Sequence, residues 1–229
     1  MTTVGILVGT GCRAFDIAVV REVYDNRSDR GLHRAEVRIL ADRSVTDLDA
    51  VNAVRRTHGF SSVTELDLLV VPGTEDPLAE PSRQEVAAVA RAAAAGVVVA
   101  SLCTGAFTLA AAGVFDGRAA TTHWRFAAEL ARRHPRIDVR PRDLYCGGNG
   151  VWSSAGVTAG VDLLLHLVRE DWGASAAEMV ARSMVTPVFR PGTQAQYADT
   201  STPVSSAPTV ERLQLMVSGD LSVLTGHVD

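Results

Sequence analysis

The residue whose type and position promise the most chemistry is Cys103. It lies in Ala100-Ser-Leu-Cys103-Thr-Gly105-Ala-Phe-Thr-Leu-Ala, where an apolar strand runs into a helix with almost no loop. A side chain at such a join is often held in a strained backbone conformation and projected above the sheet edge. Gly105 lets neighbouring backbone come close. The free N–H groups and positive dipole end of the next helix favour thiolate over thiol. The sequence therefore predicts an exposed Cys103 with a pKa below the free value of ~8.5, more reactive than Cys12 or Cys146. The same N–H groups suit a developing oxyanion or a bound carboxylate. The competing reading of a lone cysteine is a small apolar thiol packed behind a helix.

Two other ionisable residues fall where they could reach that edge. Asp16 opens the first helix, directly after the first strand; the alternative is an acid that only complements the helix dipole. His123, in Thr-Thr-His-Trp124, could approach from a neighbouring strand end, or could pack on Trp124 and bond to backbone. Asp162, two residues after Gly160, could orient a group or bond its own helix start. Gly9-Thr-Gly11-Cys-Arg-Ala14 fits G-x-G-x-x-A after a strand. However, the acid of the next strand, Asp42, comes later than the ~20 residues usual for a dinucleotide site.

Composition removes several classes. All 22 basic residues are arginine, so neither a lysine Schiff base nor a P-loop lysine can exist. The formal net charge is -4 with no dense basic run, which gives no nucleic-acid footprint. Three widely spaced cysteines suit neither a disulfide framework nor a zinc site, and fit a reducing cytosol. The first residues enter a strand directly, without signal-peptide features, and no apolar stretch is long enough for a membrane span. The expectation is a cytoplasmic protein without metal or cofactor.

The elements that must position these residues alternate in type. Strands are expected at Val4 to Val8, Glu36 to Leu40, Asp67 to Pro72, Val97 to Ser101, Ile137 to Arg140 and Val151 to Ser154. Helices are expected at about Phe15 to Tyr24, Arg83 to Ala95, Arg125 to Arg133, Thr158 to Arg169 and Ala174 to Met184. Ser82 and Glu85 form a capping box, and Gly96 stops that helix. Fully apolar strands between helices imply an α/β fold, a flavodoxin-like three-layer sandwich with a mostly parallel central sheet, whose ligands bind at the carboxyl strand ends. From Thr186 to Pro208 the composition turns to Pro, Gly, Ser, Thr and Gln, as in a linker or surface-hugging tail. Val210 to Val217 has the periodicity of one short helix.

Ser101 to Gly113, Asp116 to Trp124 and Ser154 to Asp162 carry a resemblance to the ThiJ/PfpI superfamily, of class I glutamine amidotransferase-like fold. The likeness is closest to the N-terminal domain of AraC-type transcriptional regulators of the GlxA kind. Arg182-Ser-Met-Val-Thr-Pro187 and Gly192-Thr-Gln-Ala-Gln-Tyr197 resemble that domain's ending, and residues beyond Thr209 resemble the opening of a helix-turn-helix domain. The resemblance implies a domain over 1–197, and a linker with the start of a truncated helix-turn-helix region over 198–229.

The resemblance also implies that Asp16 meets the cysteine, and that Asp16, Cys103 and Thr104 match the Asp, Cys and Thr of members similar to isonitrile hydratase. A carboxyl facing a thiolate keeps its proton and can serve as a general acid. The peptidase-like relatives carry a histidine directly after the cysteine; Thr104 replaces it here. Two functions are expected as alternatives. One is a sensor domain that binds a small metabolite around Gly73, Cys103, Thr104, Gly105 and His123. It would form a homodimer and reach DNA only through an attached helix-turn-helix domain. The other is a cofactor-free enzyme in which Cys103 attacks an isonitrile and Asp16 transfers the proton.

Overall fold

The computed structural model describes residues 1–24, 35–50 and 52–196. Ten strands and six helices follow in order: β1 (Thr2–Leu7), α1 (Ala14–Tyr24), β2 (Ala35–Leu40), β3 (Val45–Asp47), β4 (Ala53–Arg55), β5 (Leu68–Val71), α2 (Arg83–Ala94), β6 (Val98–Leu102), α3 (Ala106–Ala111), β7 (Ala119–Ala120), α4 (Trp124–Arg133), β8 (Asp138–Val139), β9 (Tyr145–Gly148), β10 (Val151–Ser154), α5 (Thr158–Trp172) and α6 (Ala174–Ser183). The central sheet runs β2-β1-β5-β6-β10-β9, parallel throughout except for β9.

Side-chain alternation divides the core in two. Val4, Ile6, Val70, Ala100 and Leu102 face α1, α5 and α6, while Leu7, Leu69, Val71 and Val99 face α2, α3 and α4. Both faces of the sheet are thus covered, which is why β5 reads as an unbroken apolar run and β6 as one broken only by the buried Ser101. The fold is the expected flavodoxin-like three-layer α/β sandwich, and Met1–Gln196 form one compact unit. The Ser82–Glu85 capping box opens α2: Glu85 N–H donates to Ser82 Oγ at 3.2 Å, and Ser82 N–H to Glu85 Oε2 at 2.9 Å.

Several pieces differ from the sequence expectation. The Ile137 to Arg140 strand shortens to β8, which pairs in parallel with β7, a two-residue strand too short to leave a periodicity. β3 and β4 make a separate hairpin of three-residue strands. β9 is a glycine-rich antiparallel edge strand that the composition disguises as loop. The signal that could have found it is Asn149-Gly150, at φ 50° and 78° between β9 and β10. Two successive residues with positive φ make the turn whose twist matches a hairpin. The expected helix at Val210 to Val217 and the boundary near residue 197 concern residues outside those described. Among the described residues no helix is long and apolar enough to cross a membrane, and no group of three or more metal-ligating side chains gathers.

Candidate functional site

β6 ends at Leu102, and the chain turns into α3 through one 3-10 turn, Cys103–Gly105. Cys103 takes φ 52°, the left-handed region that a side-chain-bearing residue enters only when its surroundings hold it there. Two contacts do the holding. Gly105 packs so closely that a Cβ there would sit 2.2 Å from the Val71 carbonyl oxygen. The Thr122 hydroxyl donates to the Cys103 carbonyl at 2.8 Å, both groups buried.

Gly73, just past the end of β5, is the point on which the expected site residues converge. A Cβ on Gly73 would lie 2.9 Å from Thr104 Oγ1, 3.0 Å from Cys103 Cβ and 3.1 Å from Asp16 Oδ2. Its N–H donates to Asp16 Oδ2 at 2.9 Å, and the N–H of Thr74 donates to Thr104 Oγ1 at 2.9 Å. Asp16 and the adjacent pair Cys103 and Thr104, far apart in sequence, therefore meet around one residue that must lack a side chain.

The expectation of an exposed, acidic thiol is overturned. Cys103 is 1% exposed, and its pKa is pushed up to about 11. Burial is the main cause and the nearby Asp16 charge adds to it. The Thr104 N–H, the Arg13 guanidinium and the Thr104 hydroxyl oppose both without prevailing. The helix dipole favours the thiolate, but desolvation outweighs it here, and α3, only six residues long, carries a short dipole. Reactivity must be reordered as well. Cys12 is buried with its pKa at about 12, whereas Cys146 is only partly buried and, at about 11, matches Cys103. Cys146, not Cys103, is the most accessible thiol of the closed structure.

Asp16, also 1% exposed, has its pKa raised, first by burial and then by Glu75, against the Gly73 N–H and Arg13. Burial thus shifts both the thiol and the carboxyl toward their neutral, hydrogen-bonding forms. His123 does not bond to this group. It caps α4 by accepting from the Arg125 N–H at 3.3 Å and stacks on Trp124 at 5.6 Å between ring centroids, as the packing alternative had it. Asp162 pairs with the Arg190 guanidinium, which tethers the segment after α6. The Gly9 turn does not present a dinucleotide cradle: a Cβ on Gly9 would meet Glu85 Oε1 at 1.9 Å, a carboxylate where a pyrophosphate would have to approach.

The sequence reading missed two neighbours. Gly156 takes φ 98° at a position where a Cβ would fall 2.4 Å from Cys103 Cβ and 2.7 Å from its sulfur, so it forms part of the lid on the thiol. Arg13, three residues before Asp16, influences Asp16, Cys103 and His123 alike. Its buried Nε has no hydrogen-bond partner among the described residues. Its place in the Gly9 turn, one residue ahead of α1, was the available signal.

Residues 8–170 match the DJ-1/PfpI family. The chain is 29% identical to an isonitrile hydratase of Pseudomonas putida over 77% of its own length and 75% of that protein. It is 26% identical to the HTH-type transcriptional regulator GbdR of Pseudomonas aeruginosa over 69% of its length, a match spanning only 42% of the regulator. Among solved structures it is similar to an AraC family transcriptional regulator from Pseudomonas putida, with a TM-score of 0.71 and 24% identity, covering 80% of this chain and all of that one. At that identity the likeness establishes the fold alone.

Proposed function

Because this chain belongs to the DJ-1/PfpI family, we propose that it is the ligand-sensing and dimerising domain of an AraC-type transcriptional regulator. The observation that carries this reading is the state of Cys103, a closed, neutral thiol with a pKa of about 11 beside a carboxyl that is also shifted toward its neutral form. At neutral pH such a pair is a hydrogen-bonding surface rather than a ready nucleophile. Several relatives are HTH-type regulators, which supports the same reading. A small metabolite would bind around Gly73, Cys103, Thr104 and Gly105. His123 stands further out, at the first turn of α4. DNA contact belongs to a helix-turn-helix domain whose opening residues 209–229 resemble, and the protein works in the cytoplasm. Phe15 and Val157, each one residue from a site residue, are 48% and 37% exposed. Covering them against a second copy would gain apolar burial and seal the site.

The meeting of Asp16, Cys103 and Thr104 around Gly73 favours a second reading, a cofactor-free isonitrile hydratase. The sulfur would form a bond to the terminal isonitrile carbon, which takes up a proton supplied through Asp16. Water would then add to that carbon, and the C–S bond would break to release the N-substituted formamide and the thiol. Formamide production from a simple aliphatic isonitrile by wild type, Asp16→Asn and Cys103→Ala separates the readings. The sensor reading expects wild type to match Cys103→Ala. Turnover that falls ~10²–10⁴-fold in both variants would establish the enzyme.

A further inference from the structure

The segment that closes the described chain ends on Gln196, whose side chain bonds to the stretch behind Cys103. Its amide group uses both ends. Nε2 donates to the carbonyls of Thr122 at 3.1 Å and Asp143 at 3.0 Å and lies 3.3 Å from Thr121 Oγ1; Oε1 accepts from the Trp124 N–H at 3.0 Å. Its own N–H donates to the Arg142 carbonyl at 2.8 Å. The preceding residues, 193–195, are exposed, so Gln196 alone turns inward there.

What Gln196 grips is the stretch that holds the elbow. Thr121 and Thr122 are fully buried, and the Thr122 hydroxyl is the donor to the Cys103 carbonyl at 2.8 Å. Two hydrogen bonds therefore connect the strained φ of Cys103, through Thr122, to the last described residue. Oε1 takes the Trp124 N–H at the first turn of α4, where His123 takes the N–H of Arg125. In such a chain, buried at Thr122 and part-buried at Gln196, a group left without its partner loses its compensation for burial, so the members tend to hold or break together.

We propose that Gln196 is a positioning residue for the Cys103 site and couples that site to the chain that follows it. Whatever rearranges the elbow loosens Gln196, and whatever frees Gln196 loosens the elbow, because coupling between two sites is reciprocal. The regulatory meaning rests on reading Cys103 as the sensing site; the coupling itself does not.

The 229-residue chain tests it with iodoacetamide as the probe and modification of each cysteine read by peptide mass. Gln196→Met keeps size and loses every side-chain hydrogen bond. Gln196→Glu keeps the acceptor for Trp124 and turns a carboxylate oxygen on two carbonyls. Both variants should modify Cys103 about tenfold faster, the effect of losing a net hydrogen-bond pair on a local opening. The equally buried Cys12 and the exposed-site control Gln194→Ala should be unchanged. Conversely, wild type carboxamidomethylated at Cys103 should lose about tenfold in amide-exchange protection at Gln196. Unchanged Cys103 rates in both variants, or Cys103 and Cys12 accelerating together as in global destabilisation, would overturn the coupling. These outcomes are independent of isonitrile turnover, so the sensor reading and the coupling can fail separately.

Discussion

At the scale of single residues, the site is defined by what burial does to two ionisable groups. The folded state holds the Asp16 proton above the ordinary carboxylate value of 3.8, where the unfolded chain has released it. Stability therefore falls as pH rises through the window that begins there, and Cys103 adds a second loss between pH 9.0 and about 11. Asp16→Asn, which still offers an oxygen to the Gly73 N–H, should remove the first loss and flatten the profile of urea midpoint against pH. A wild-type midpoint that climbs across that window more steeply than the variant's would contradict the raised Asp16 pKa. Gly156→Ala places a methyl against the Cys103 sulfur at a left-handed φ. It should cost about 2–3 kcal/mol in urea unfolding, from strain and overpacking together. A loss of less than about 0.5 kcal/mol, the range of ordinary surface changes, would mean the thiol's cover yields freely. The sequence made Cys103 and Asp16 legible because a strand–helix join and a helix start are local patterns. It hid their protonation because the cover, hydrogen bonds and charge around them come from residues such as Gly156, Gly73 and Arg13, none adjacent to Cys103 in the chain.

At the scale of elements, the strands and helices with strong periodicity were readable to within a few residues. The apolar runs of β5 and β6 and the capping box of α2 carry their own signals. β7, β8 and the β3–β4 hairpin did not, because two- and three-residue strands are fixed by their partners rather than by propensity. The capping box gives a direct test: Ser82→Ala should destabilise by about 1 kcal/mol, read as a melting temperature lower by ~2–4 °C. The segment after α6 is tied down by a different device, the Asp162–Arg190 pair. Arg190→Met leaves the Asp162 carboxylate, 4% exposed, without its guanidinium. The expected cost is about 3 kcal/mol, because breaking one half of a buried pair leaves an uncompensated charge. A change below about 1 kcal/mol, as for a surface pair, would show that the bridge contributes nothing to anchoring the segment after α6.

At the scale of the molecule, the family could be read from unconnected motifs because they line one sheet edge together: the Cys103 turn, the Thr122 segment and the Gly156 turn. The sensor reading predicts twice the chain's mass in sedimentation, with Phe15 and Val157 protected. It also predicts no retardation of a promoter fragment at moderate salt, given net charge -4 and no basic run. Whether the domain binds or attacks reduces to the protonation of one sulfur. The most direct measurement is the pH titration of thiolate ultraviolet absorbance, taken as the difference between wild type and Cys103→Ala. The account predicts no thiolate at pH 7 and half-titration near pH 11. A full thiolate signal at pH 7 would contradict it and make Cys103 a nucleophile.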